Sequence, residues 1–289
     1  MSKRSIPEQL YHFNIQEFIH AALAEDTGDG DHTSLACIPA SAKGKAKLLV
    51  KENGILAGVE LAKQIFTTVD PTLKTKTFIK DGSKIKTGDI VLTVEGSSRS
   101  ILLAERLVLN CMQRMSGIAT KTNHLVMLCK GSKAKVIDTR KTSPNLRGLE
   151  KWAVVLGGGA NHRIGLYDMI LIKDNHIDYA GGIPKAIAAS KAYLKLKKKK
   201  LKIEVEARNL EEVKQILATG GIDRIMLDNF PIAELKKAVK LIAGKYETEA
   251  SGGITEQNIS SYAKCGVDFI SVGALTHHIK SLDLSLKAV

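Results

Sequence analysis

IEVEARNLEEVKQILATGGIDRIMLDNFPIAELKKAVKLIAGKYETEASGG, residues 203–253, is the stretch on which the fold turns. It holds three short β-rich runs, Ile203–Glu206, Arg224–Asp228 and Glu247–Ala250, and a fourth follows at Phe269–Val272. The interval from each run to the next is the length of one strand, one helix and two loops, so successive parallel strands are the natural solution. Upstream, Ala134–Asp138 and Met169–Lys173 supply two more runs, and together they predict an α/β barrel. The runs end in polar or glycine residues: Asp138-Thr139-Arg140-Lys141, Lys173-Asp174-Asn175, Glu206, Asp228-Asn229, Ser251-Gly252-Gly253 and Gly273. In such a barrel these C-terminal ends face one mouth, where chemistry sits.

Before residue 133 the texture differs. A helix is expected to about Ala24, then a turn-rich acidic loop, EDTGDGDHTS (25–34), then short alternating strands such as Lys45–Val50 and Ile90–Val94. In DGSKIKTGDIVLTVEG (81–96), glycines punctuate apolar alternation, as in small antiparallel strands joined by tight turns. A helical pattern over 102–130 reads as interrupted near Ser116-Gly117. The expected division is an α+β domain over 1–110, rejoined by 276–289, and a barrel domain over 111–275.

The 289 residues, 44% hydrophobic and 25% charged, are enough for a large core without a metal or disulfide staple. No uninterrupted apolar run approaches the roughly 18 to 20 residues that span a bilayer. The net charge of +13 invites a nucleic-acid reading, but Lys195, Lys197, Lys198, Lys199, Lys200 and Lys202 supply six of those charges in one run, best read as a solvated helix end. The aromatic content of 4% also leaves few platforms for stacking bases. Cys37, Cys111, Cys129 and Cys265 contain no C-x-x-C pair, which fits a reducing interior. MSKRSIPEQLYHF at the start lacks the apolar core of a signal peptide, so the cytoplasm is the expected location.

Arg140, Lys141, His162, Arg163 and Lys173 fall at or near the first two strand ends. One such residue is ordinarily a surface ion-pair partner, but five converging imply a pocket for a multiply charged anion, since Arg forks and Lys point charges suit carboxylate and phosphate. Glu206 and Asp228 end the next two strands and could bind Mg²⁺ through oxygen or accept from ribose hydroxyls, with an internal network with Lys141 and Lys173 as the plainer reading. Alternation puts Glu204 on the same face as Glu206, which makes it a competitor for the site acid. Ser251-Gly252-Gly253 and Val272-Gly273-Ala274 occupy the positions where barrels commonly seat phosphate on backbone amides. Gly157-Gly158-Gly159 is weaker evidence and is not a dinucleotide fingerprint.

DTRKTSPNLRGLEKWAVVLGGGANHRIGLYDMILIKDNHI (138–177), with NCMQRMSGIAT (110–120), LDNF (227–230), EASGGI (249–254) and SVGALTH (271–277), resembles the quinolinate phosphoribosyltransferase family. The likeness extends over nearly the whole chain, including EDTGDGDHTS and RSILLAER (99–106). Ser143, Asn145 and Trp152 depart from the residues usual in the motif, and Asn145 is the non-glycine type that best tolerates left-handed backbone. The resemblance implies an N-terminal open-faced α+β sandwich domain, an incomplete TIM-like barrel, and a homodimer with shared active sites, whether or not dimers assemble further. It implies phosphoribosyl transfer from phosphoribosyl pyrophosphate (PRPP) to quinolinate with decarboxylation, requiring Mg²⁺, in NAD biosynthesis. By motif, Thr139, Arg140, Lys141, His162, Arg163 and Lys173 would bind quinolinate, and Arg106 would reach in from the other subunit. Glu206 and Asp228 would serve the ribose and metal, and Ser251, Gly252, Gly253, Val272, Gly273 and Ala274 would cradle phosphate. Lys141, Lys173, Glu206 and Asp228 are the expected catalytic set.

Three other readings compete. A relative with another acceptor, either a molybdenum-transport-associated homologue or a nicotinate-specific enzyme, would keep the phosphate cradle, but five cations favour a dicarboxylate. A Schiff-base aldolase would need a desolvated Lys141 or Lys173, which neighbouring acids oppose. A nucleic-acid role rests on charge alone.

Overall fold

The computed structural model describes residues 13–289, so all of MSKRSIPEQLYHF except Phe13 lies outside the described residues. The chain forms two compact units. One comprises residues up to Asn123 together with Thr142–Gly158 and Leu275–Val289, and the other His124–Lys141 and Gly159–Ala274. The first therefore extends beyond the expected boundary at 110 and takes back a central segment as well as the C-terminal one.

In the first unit, helices α1 (Ile15–Thr27) and α2 (His32–Cys37) precede strands β1 (Lys43–Val50) and β2 (Gly54–Ile55). Helix α3 (Val59–Val69), strands β3 (Lys74–Thr77), β4 (Lys84–Ile85) and β5 (Ile90–Ser97), and helix α4 (Ser98–Leu128) follow. The stretch expected as one loop over 25–34 is shared between helices, because Glu25–Thr27 finish α1 and the Asp31 carboxylate caps α2 by accepting the Ser34 N–H at 3.0 Å. Strands order as β12-β1-β5-β3 in an antiparallel sheet, with β12 at Leu284–Ala288, and β2 pairs with β4. Alternation along β1 buries Ala46, Leu48 and Val50 while Lys45 is exposed and Lys47 and Leu49 are partly so, and one face therefore meets the core. Val59, Leu61, Ala62, Ile65 and Phe66 of α3 are fully buried.

Helix α4 runs unbroken through Ser116-Gly117, contrary to the sequence expectation. Both small residues are there because other chain comes close. The Ser116 hydroxyl accepts from Ala57 N at 3.0 Å and donates to Ala57 O at 3.2 Å, and a Cβ on Gly117 would collide with the Lys280 carbonyl and meet Ile279. Asn145 adopts φ 60°, the left-handed backbone that its side-chain type tolerates.

The barrel unit begins with β6 (Lys135–Ile137), and after α5 (Arg147–Leu156) of the first unit it continues with β7 (Ile170–Ile172), α6 (Asp174–Ala180) and α7 (Ile183–Leu196). Then come β8 (Ile203–Ala207), α8 (Leu210–Thr219), β9 (Arg224–Asp228), α9 (Ile232–Ile242), β10 (Glu247–Ser251), α10 (Ile259–Ala263) and β11 (Phe269–Ser271), after which α11 (Ala274–His277) returns the chain to the first unit. Each strand falls on a run read from the sequence. The six are parallel in the order β6-β11-β10-β9-β8-β7, and a bridge from Ile137 to Ala160 extends the β6 edge, so the unit is an incomplete TIM-like barrel. Being parallel, the strands deliver all their C-terminal ends to one face.

The opposite face carries a repeated stitch. Asp223, just before β9, accepts the Ile203 N–H of β8 on its carboxylate at 2.7 Å, donates its own N–H to Ile203 O, and accepts the Glu247 N–H of β10 on its carbonyl. Asp268, just before β11, does the same with Thr248 of β10 and Lys135.

Candidate active site

The expected basic residues sit on the segments that leave β6 and β7. Arg140 and Lys141 are exposed beyond β6, in a turn held by the Lys141 N–H donating to the Thr139 hydroxyl at 3.0 Å. Lys173 caps the start of α6, its N–H donating to His176 Nδ1 at 3.0 Å. Arg163 is half-buried and donates from Nη1 to the Met169 carbonyl at 3.2 Å. Burial, and then the charge of Arg140, push the Arg163 guanidinium below its ordinary value, although Glu204 and Asp168 oppose them. Two guanidinium groups that repel each other at a strand-end mouth suit an anion with more than one charge.

Asp138 organises the segment that carries Arg163. Its buried carboxylate accepts the His162 N–H at 2.9 Å and the Asn161 side-chain amide at 2.5 Å. Asp168 closes the following turn by accepting the Ile164 and Gly165 N–H groups at 2.7 and 2.9 Å.

Strand alternation sends two layers of charge into the barrel. The outer layer is Glu206, Asp228 and Lys173. Lys173 Nζ lies 3.8 Å from Glu206 Oε2, and the Asp174 N–H also donates to Glu206. Burial raises the Glu206 carboxyl above the ordinary carboxylate range and the charge of Asp228 adds to this, while Lys173 opposes both. Asn229, in left-handed backbone at φ 56°, donates its side-chain amide to Asp228 at 2.6 Å. Two neighbouring carboxylates that offer only oxygen fit a hard divalent cation.

Below lies a fully buried layer. His162 Nε2 is 2.9 Å from Glu204 Oε2 and 3.4 Å from Glu249 Oε2, and Arg224 Nη1 is 3.1 Å from Glu249 Oε2. Arg224 also reaches Glu247 at 3.2 Å and lies over the Phe269 ring, 3.9 Å from its centroid. Burial pushes Glu204 up to about 7, helped by the charge of Glu249. Burial would raise Glu249 too, but His162 and Arg224 hold it below the ordinary range. The structure thus separates the two glutamates that alternation left in competition: Glu206 faces Lys173 and Asp228, whereas Glu204 faces His162 and Glu249. Ligand atoms of His162, Glu204 and Glu249 lie within 4.8 Å of one another, but Arg224 and His162, whose imidazole the two carboxylates push up to about 9, already offset the charge there.

Ser251-Gly252-Gly253 leaves β10 with φ 86° and 59° at the two glycines. A Cβ on Gly252 would strike the Asn229 side chain and backbone, so only glycine lets these two strand ends meet. Val272 is buried, while Gly273 and Ala274 are partly exposed at the end of β11. Arg106 is exposed on α4, and its side chain makes no hydrogen bond or ion pair among the described residues.

Sequence reasoning missed Asp138, Arg224 and Glu249. Their signal was alternation: Arg224 shares a face with Asp228, and Glu249 with Ser251. A cavity of about 390 Å³ lies elsewhere, lined by Leu128–Lys133 and by Ser260, Ala263, Lys264 and Gly266.

Residues 118–287 match the family model described as quinolinate phosphoribosyl transferase, C-terminal domain, and residues 31–116 match that of the N-terminal domain. The chain is 48% identical over 290 residues to the chloroplastic nicotinate-nucleotide pyrophosphorylase (carboxylating) of Arabidopsis thaliana, spanning 95% of this chain and 83% of that protein. It is 40% identical over 275 residues to the probable nicotinate-nucleotide pyrophosphorylase (carboxylating) of Bacillus subtilis (strain 168), spanning 95% and 93% of the two. Among solved structures, NadC from Streptococcus pyogenes superposes with a TM-score of 0.90 at 40% identity, covering 95% of this chain and 97% of that one.

Proposed function

The chain belongs to the quinolinate phosphoribosyltransferase family, and from that premise we propose that the barrel mouth transfers a phosphoribosyl group from PRPP to quinolinate, releasing pyrophosphate and carbon dioxide and leaving nicotinate mononucleotide for NAD synthesis. The observation that carries the reading is the pairing of a repelling Arg140–Arg163 couple with the Lys173, Glu206 and Asp228 group on one face of the barrel.

The residues divide by charge. Arg140, Arg163 and Lys141, with Thr139 at the strand end, clamp the two quinolinate carboxylates and so aim the ring nitrogen at the anomeric carbon. Lys173 bridges the two groups, since it can reach a carboxylate while remaining beside Glu206. Glu206 and Asp228 accept from ribose hydroxyls and would hold Mg²⁺, which supplies charge stabilisation for the departing pyrophosphate. The Ser251–Gly253 turn and Val272, Gly273 and Ala274 present backbone N–H groups to phosphate. Nitrogen attack needs no acid or base once the ring is positioned. After it, the nitrogen is positively charged and the neighbouring carboxylate leaves as carbon dioxide, its bonding electrons remaining on the carbon beside that nitrogen and then taking up a proton.

The family likeness, with Arg106 exposed on α4, is the ground for a homodimer in which one subunit's Arg106 completes the other's mouth. Among the described residues no helix is long and apolar enough to cross a membrane. The four free cysteines suit a reducing compartment, and the cytoplasm is the location we propose, although the Arabidopsis thaliana relative is named as chloroplastic.

Turnover with quinolinate and with nicotinate, each with PRPP, separates this reading from that of another acceptor. Pyrophosphate and carbon dioxide should form in equal amounts with quinolinate only, stop on chelation with EDTA and resume with added Mg²⁺. Mixing inactive Arg106→Ala and Lys173→Ala proteins should restore activity through hybrid dimers. Turnover with nicotinate alone would sink the assignment, and failure of the mixture to regain activity would sink the shared site.

A further inference from the structure

Strands β6 and β11 pair side by side in the barrel sheet, and each runs out at the mouth into a segment of the proposed site. Strand β6 leads to Thr139, Arg140 and Lys141, and β11 leads to Val272, Gly273 and Ala274. Directly afterwards, at Thr142 and at Leu275, the chain passes into the first unit. There both segments reach one side chain, Arg114 of α4. Its Nη2 donates to the Ser143 hydroxyl at 2.9 Å and to the Thr276 carbonyl at 3.2 Å, and its Nε donates to Glu150 Oε1 of α5 at 2.8 Å. Glu150 is buried, and its other oxygen accepts the Ser143 N–H at 3.2 Å. Thr276 is fully buried as well. Arginine suits such a junction because its planar fork sends donors in several directions from one rigid group, which a lysine ammonium does not reproduce. Ser143 lies two residues beyond Lys141, and Thr276 two beyond Ala274, so a shift at either anchor passes along a short stretch of main chain to a residue of the site.

We propose that Arg114, braced by Glu150, is a positioning residue that anchors the chain behind both halves of the site, the quinolinate clamp after β6 and the phosphate cradle after β11. It acts through the main chain on either side. This deepens the proposed reaction and rests on that reading for the identity of the two ligands. A residue that contacts a single ligand affects that ligand first, whereas loosening a shared anchor weakens both together.

Two measurements test the role. Arg114→Lys is the variant of choice, since it keeps a cation beside the buried Glu150 carboxylate, which Arg114→Ala would strand. In hydrogen exchange without substrate, Arg114→Lys should speed exchange in 140–146 and in 272–278, with the β8 to β9 pairing as protected as in wild type. Faster exchange in one segment only, in neither, or throughout the chain would overturn the proposal. In turnover, the same variant should raise KM for quinolinate and for PRPP by roughly three- to tenfold each, with kcat less affected, as for the loss of one or two hydrogen bonds. Ser143→Ala removes the Arg114 contact on the β6 side alone, so it should raise the quinolinate KM about threefold and leave the PRPP KM within about twofold. Ser143→Thr, which retains the hydroxyl, should restore the quinolinate KM. A lowered Tm with both KM values at wild type would reduce Arg114 to packing, and a Ser143→Thr variant as poor as Ser143→Ala would overturn the hydroxyl contact as the anchor. Exchange is read without turnover, so a wild-type protein inactive on quinolinate would sink the activity and leave the anchor to be decided by the exchange result.

Discussion

The charge of Arg140 pushes against Arg163, and in the proposed reading that repulsion would be relieved by the two carboxylates of the substrate. On that reading, removing one guanidinium would leave a substrate carboxylate with a single fork. Arg140→Ala or Lys173→Ala should therefore lose at least about 2.7 kcal/mol of transition-state stabilisation, roughly a hundredfold in kcat/KM, measured by pyrophosphate release with fold checked by circular dichroism. Near-normal turnover of either variant would remove that residue from the site. At this scale the exposed cations were legible because Arg and Lys at strand ends advertise charge. The inner layer was not: Glu249 lies in a run of small residues, and its partners Arg224 and His162 arrive from other strands and loops. Only the three-dimensional register shows that Glu204 and Glu206, two residues apart, serve different neighbours.

Among elements, the Asp223 and Asp268 stitches fix where neighbouring strands begin, and so at what height their far ends emerge. The Asp268 carboxylate accepts from Thr248 N at 2.9 Å, Thr248 Oγ1 at 2.8 Å and Lys133 Nζ at 2.6 Å. Burial would raise its pKa, but Lys133 and Thr248 hold it below the ordinary value. A depressed folded pKa gives stability that is present above the unfolded value near 3.9 and is lost as pH falls through the folded one. Asp268→Asn should cost about 1 to 2 kcal/mol at neutral pH, with the gap to wild type closing below about pH 4, as read from urea midpoints across pH. A gap that stayed constant with pH would assign the effect to packing instead. The six barrel strands were readable because β-rich runs bounded by polar residues repeat along the chain. The continuity of α4 was not, because glycine and serine mark both helix breaks and close approaches, and a single sequence does not say which.

For the whole molecule, the charge of +13 divides into a part with a task and a part without one. Lys195 to Lys200 contribute an exposed run at the end of α7, where cations complement the helix C-terminus, and Lys202 pairs with Glu247 at 3.3 Å. Replacing Lys195, Lys197, Lys198, Lys199 and Lys200 with glutamine should weaken retention on a polyanion column while leaving kcat/KM for quinolinate within about twofold at physiological ionic strength, where exposed charges beyond roughly 8 Å are screened. A large fall in kcat/KM would show that the run steers substrate.

The pairing of β1 with β12 bears on how the protein is made. Strand β1 ends at Val50 and its neighbour begins at Leu284, so during synthesis one edge of the first sheet stays unpaired while the barrel strands are being translated. Domains ordinarily finish in the order in which they leave the ribosome. Here the unit begun first is completed last, and the barrel must emerge beside a neighbour whose sheet still awaits its final strand.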